Sequence, residues 1–128
     1  MIRPITLAAL FCLSPRLALA QEQPISVYFE PLKASDRDLS QLNGAIEQAL
    51  SQPPFRLEMK PGPRTIVISP SGKVESEKKR ISGTFYSFTI EFFRDRSSLG
   101  QSAQSCGLET LSECTDQIVQ DVKSVAAR

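Results

Sequence analysis

The eleven residues Thr84–Arg94 (TFYSFTIEFFR) constrain this chain more than any other segment. Tyr86, Phe88, Ile90 and Phe92 fall on one side of an extended backbone, while Phe85, Ser87, Thr89, Glu91 and Phe93 fall on the other. Side chains alternate across a strand, so this spacing predicts a strand with one heavily apolar face. That face needs a covering layer, and two stretches have the spacing to supply it. Leu39, Leu42, Ile46, Ala49 and Leu50 recur at helical intervals. They follow Ser35 and Asp38, close to a capping box, and precede Pro53-Pro54, which stops a helix. Leu111, Cys114, Ile118, Val122 and Val125 make a second stripe, opened by the T-x-x-E pair Thr110 and Glu113.

Shorter segments complete the sheet. Ile25, Val27 and Phe29 alternate with polar neighbours until Pro31 ends the strand. Phe55, Leu57 and Met59 alternate with Arg56, Glu58 and Lys60, a strand with one wet face, and Pro61-Gly62-Pro63 turns the chain. Thr65–Ser69 is largely β-branched and reads as a strand buried on both faces. Pro70-Ser71-Gly72 reads as another turn, and Lys73–Gly83 as a solvated strand edge or mobile loop. Asp95-Arg96-Ser97-Ser98 reads as a hairpin loop. Leu99–Ser105 returns as a polar strand rich in small residues, near an edge of the sheet. The order is β-α-β-β-β-β-α. Two apolar helix stripes and a sheet with mixed or largely antiparallel pairing define an α+β two-layer sandwich, with both helices on one face.

The first twenty residues have a separate role. Met1–Arg3 supply a positive start, Ile5–Leu13 an apolar run, and Ala18-Leu19-Ala20 an A-x-A cleavage site before Gln21. This is the pattern of a cleavable signal peptide. Arg16 interrupts the run well short of the roughly 20 apolar residues that a membrane span needs. Residues 1–20 are therefore expected to be removed, leaving 21–128 as a single periplasmic or secreted domain with no membrane span. Cleavage removes Arg3, Arg16 and Cys12, leaving 13 basic against 14 acidic residues and two cysteines. The charge balance argues against a nucleic-acid binder, which shows a basic excess. An even cysteine pair in an exported chain reads as a disulfide, here Cys106 to Cys114, pinning the second helix to the sheet.

The same residues carry a resemblance. The opening strand ending at Phe29-Glu30-Pro31, the helix with Leu39, Leu42, Ile46 and Leu50, and Phe55-Arg56-Leu57 soon after it follow one familiar order. The strand Ile66–Ser69, the hairpin Phe88–Asp95 with Leu99-Gly100, and a closing helix with Asp116, Ile118 and Val122 continue it. In pattern this resembles the N-terminal domain of TolB and related envelope proteins of the CsgG and LpoB type. The Cys106/Cys114 pair is not part of that pattern. The resemblance implies a periplasmic module that works by binding protein partners, and it carries over no catalytic residue.

Catalytic chemistry finds little footing in the residue types. The chain has no histidine, and so lacks the commonest general base and the commonest metal ligand. Ser71 lies two residues before Lys73, but inside a Pro/Gly turn, and no G-x-S-x-G is present. Glu75 and Glu77 read as a solvated face, and Asp36, Asp38, Asp116 and Asp121 as residues of helix starts and outer faces. No catalytic, cofactor or metal residue is assigned. The expected function is a non-enzymatic protein-interaction module whose partner is an envelope protein. The alternative is a small-ligand or anionic envelope-polymer binder, using Lys78, Lys79 and Arg80 or the polar faces near Ser97–Gln104.

Overall fold

The computed structural model describes residues 23–33, 37–81 and 83–128, and of Lys79 the backbone only. The leader 1–20, with Cys12, lies outside the described residues, as do Asp36 and the Ser35 end of the first capping box. In chain order the elements are β1 (Ile25–Phe29), α1 (Arg37–Leu50), β2 (Phe55–Leu57), β3 (Ile66–Lys79), β4 (Gly83–Arg94) and β5 (Ser97–Gly107). A 3-10 turn (Leu108–Thr110) then leads into α2 (Leu111–Ala126). This is the expected α+β order, β-α-β-β-β-β-α.

The five strands form one mixed sheet in the order β2-β1-β3-β4-β5. β1 runs parallel to β2 and to β3, with Val27 opposite both Leu57 and Ile66. Parallel neighbours need a crossover, and α1 provides the one between β1 and β2. β4 is antiparallel to β3 and to β5. The long alternating segment thus sits between two partners, where its apolar face is most fully used.

That face is the floor of the core. Tyr86, Phe88, Ile90 and Phe92 are buried beside Val27, Phe29, Ile66 and Ile68. Leu39, Leu42, Ile46 and Leu50 of α1 and Cys114, Ile118, Val122 and Val125 of α2 close the same cluster from above. Each large side chain taken from water contributes about 1.5–3 kcal/mol, which makes this layer contact the main stabilising term. Leu32 joins it, held by Asn43, whose side chain accepts from the Leu32 N–H and donates to the Leu32 carbonyl, both at 2.9 Å.

Several expectations are corrected. Pro70-Ser71-Gly72 is not a turn. β3 runs straight through it, and the pairing register with β4 shifts between Ser71 and Glu75. The Ile68 carbonyl faces β1 and accepts from the Glu30 N–H at 2.9 Å. Two residues on, the Pro70 nitrogen faces the same side, beyond the last β1 pairing (Phe29 with Ile68), so no ladder bond is lost. Gly72, at φ +81°, supplies the left-handed residue that the bulge requires. Of the two readings of Lys73–Gly83, strand edge or mobile loop, the strand holds for Lys73–Lys79. Thr65–Ser69 is not fully buried on both faces: Ile66 and Ile68 are buried on the helix side, while on the other side Thr65 is buried but Val67 and Ser69 are only partly so. Thr110 makes no side-chain cap bond to α2; the 3-10 turn carries the chain into the helix instead. The β4–β5 hairpin is tighter than expected, with Asp95 and Arg96 both at positive φ and Arg94 already opposite Ser97.

Candidate functional site

The expected disulfide is present. Cys106 ends the buried face of β5, Cys114 lies in the first turn of α2, and their Cα atoms are 5.2 Å apart. The bond closes the strand-to-helix junction, next to Gly107, where the Phe85 ring packs against the backbone.

The triplet Lys78, Lys79 and Arg80 falls at the tip of the β3–β4 hairpin. The β3–β4 ladder runs two pairs past the last β4–β5 pair, to Lys79 opposite Gly83. Lys78 and Arg80 are exposed, and Ile81 beside them is 95 % exposed. The tip is not a purely basic patch, however. Glu75 and Glu77 precede it on the same strand, and the Glu109 carboxylate lies against Gly83. Acidic groups this close offset much of the attraction for an anionic surface.

A cleft of about 920 Å³ opens at the other end of the sheet, with Arg56, Lys60, Arg64 and Arg94 among its lining. Several of its groups are already engaged. The segment from Glu58 to Thr65 crosses β1 on the side away from the helices, tied at both ends to Ser26. The Ser26 hydroxyl donates to Glu58 Oε2 at 2.8 Å and lies 3.1 Å from Thr65 Oγ1. Arg56 Nε donates to the same Glu58 oxygen at 2.9 Å. These two donors, Ser26 first, hold the Glu58 carboxyl below its ordinary pKa. Arg94 donates to the Ala126 and Arg128 carbonyls at the end of α2, where a cation complements the helix dipole. The cleft is thus largely a set of internal ties. Among the described residues no group of three or more acidic, cysteine or histidine side chains gathers to hold a metal ion.

The remaining feature is the outer edge of β5. β5 is the last strand of the sheet, so its outer backbone N–H and C=O groups have no strand partner. Proteins usually guard such an edge with proline, charge, a bulge or a covering segment. Here the guards stand only at the two ends. Near the start, an irregularity between Phe92 and Phe93 leaves Leu99 unpaired, Gly100 has φ +138°, and Arg128 Nη1 donates to the Leu99 carbonyl. Near the finish, Cys106 and Gly107 are buried. Between them run Gln101-Ser102-Ala103-Gln104-Ser105, with no proline, no charge and no bulge.

Side chains from α2 stiffen this stretch from beneath. Asp121 Oδ2 accepts from Ser102 Oγ at 2.6 Å and from Gln104 Nε2 at 2.7 Å, while Asp121 Oδ1 accepts from Gln117 Nε2 at 2.9 Å. Gln104 is only 5 % exposed, so its amide depends on these partners. The sequence placed Asp121 on an outer face. The structure turns it toward β5, and the missed signal was its position three residues after the core Ile118, on the flank of the stripe. Of the polar stretch Ser97–Gln104, Ser102 and Gln104 lie on the helix side, where they are hydrogen-bonded to each other and to Asp121. Braced from beneath and left open, such an edge can receive another strand through main-chain bonds.

A scan against protein-family models, a search of curated proteins and a search of solved structures each find no match to this chain.

Proposed function

We propose that this chain works outside the cytoplasm, in the periplasm or as a secreted domain, as a non-enzymatic protein-interaction module. The observation that carries the reading is the open run Gln101–Ser105 at the edge of the sheet, unguarded by charge or proline and braced by Asp121. An edge of this kind binds by strand addition, in which backbone hydrogen bonds supply affinity and alternate side chains supply selection. The export signal read in residues 1–20 and the TolB-like order of elements support the same assignment. Among the described residues no helix is long and apolar enough to cross a membrane.

The test is comparative capture. Tagged chain recovered from an exporting host is expected to bring down a stoichiometric protein, a second untagged copy included. Ala103→Pro places a ring and a missing N–H at the middle of the edge and is expected to abolish that capture. Circular dichroism checks that the variant keeps its fold. Equal capture by the folded variant would remove the β5 edge as the binding surface.

A further inference from the structure

We infer that the partner this edge fits is a second copy of the chain, joined to the first through antiparallel pairing of the two β5 strands about Ala103. The inference rests on the reading of β5 as an interaction surface and names the occupant. Its basis is the order of the five open residues. When Gln101-Ser102-Ala103-Gln104-Ser105 is laid antiparallel against itself with Ala103 on the two-fold axis, Gln101 meets the other Ser105, and Ser102 meets the other Gln104. Every long amide side chain faces a short hydroxyl, and alanine faces alanine. Opposed residues in an antiparallel pair lie about 4.5–5.5 Å apart at Cα, so side chains directly opposite touch and their fit favours this register.

The two faces of the pairing agree. Gln101, Ala103 and Ser105 are exposed on the side away from the helices and meet as Gln–Ser, Ala–Ala and Ser–Gln. Ser102 and Gln104 lie on the helix side and meet as Ser–Gln and Gln–Ser. A charged edge would repel its own copy, whereas no residue from Ser97 to Leu108 is charged. The carboxylate beneath the edge, Asp121, is already bonded to three donors of its own chain. The guards set the length. Leu99 is left out of the ladder by the bulge and its carbonyl is taken by Arg128, while Cys106 and Gly107 are buried where the chain passes into the 3-10 turn, so neither end extends the ladder. Five residues a side is small against the roughly 1,200–2,000 Å² of a stable interface. The association is therefore concentration-dependent and reversible, and it joins two sheets into one of ten strands.

Cysteine placement reads the register directly. In Ala103→Cys the two new thiols face each other across the axis, within the ~4.4–6.8 Å Cα separation that a disulfide spans. Under mild oxidation this variant is expected to form a covalent dimer. Ser105→Cys faces Gln101 of the other copy and is expected to stay a single chain. Sedimentation equilibrium should show a monomer–dimer exchange in the wild type. Ala103→Lys, a change at an exposed side chain, should weaken it at least tenfold at low salt. A single-chain mass up to several hundred micromolar, or cross-linking equal at 103 and 105, overturns the inference. If Ala103→Pro still abolishes capture of another protein in that case, the interaction reading survives and only the second copy is lost. If the proline changes neither mass nor capture, both fall.

Discussion

Glu58 shows what single residues do in this molecule. It accepts from Ser26 and from Arg56, and both bonds favour the charged form, so its pKa falls below the ordinary carboxylate value. A group whose folded pKa is depressed adds stability above its unfolded pKa and loses it as pH falls through the folded value. Ser26→Ala removes the larger cause. The expected outcome is a Glu58 midpoint moved upward, toward the ordinary range, in a carboxyl NMR titration. A midpoint that stays in place would assign the shift to Arg56 alone. Nothing in the spacing of Ser26, Glu58 and Thr65 announces this cluster. The residues are 32 and 39 positions apart, and they meet only because the Glu58–Thr65 segment crosses β1. Cys106 and Cys114 are the opposite case. Eight residues apart across a strand-to-helix junction, they were legible as a pair because only these two cysteines remain once residues 1–20 are set aside.

At the scale of elements, periodicity was a faithful guide in the long elements other than β3; at the short β2 it overran, since the strand ends at Leu57 and Met59, expected on its buried side, is 94 % exposed. The α1 stripe Leu39, Leu42, Ile46 and Leu50 and the β4 stripe Tyr86, Phe88, Ile90 and Phe92 are all core. It failed at β3, where proline and glycine are turn formers by local preference. Ten register pairs with β4 outweigh that preference: the strand keeps Pro70 in the ladder opposite Ile90 and takes up Gly72 in the bulge rather than breaking. The junction from β5 to α2 is equally a tertiary product. A Cβ built on Gly107 would lie 2.7 Å from the Phe85 ring and 2.9 Å from Thr110 Oγ1. Gly107→Ala is therefore expected to destabilise the fold by about 1–3 kcal/mol through overpacking. Urea unfolding measures it, and Gly44→Ala, at a helical position with open space, serves as the control. If the two variants unfold alike, the close approach at Gly107 has been relieved by a shift of the ring.

For the whole molecule, the staple and the open edge lie on the same strand. The disulfide closes a nine-residue loop counted with both cysteines. The chain-entropy relation assigns such a loop about 2.5 kcal/mol. That is a large share of the 5–15 kcal/mol typical of a small domain. Cys114→Ser should lower the unfolding free energy by about that amount, read by denaturant titration, with the far-ultraviolet spectrum of the folded state unchanged. A variant as stable as the wild type would mean that α2 packing alone holds the junction. The amino-acid sequence by itself determined the α+β class, the order of elements, both helix stripes, the pairing of the cysteines and the edge character of β5. The elements follow from local periodicity, which neighbours along the chain decide, and the cysteine pair from there being only two once residues 1–20 are set aside. Tertiary structure alone decided that β3 continues through Pro70, that both helices cover one face while the Glu58–Thr65 segment crosses the other, that Asp121 braces β5, and that five residues between two guarded ends are left open. Each depends on which distant segment lies alongside, and a hydrogen bond or steric contact between segments far apart in the chain leaves no local pattern to read.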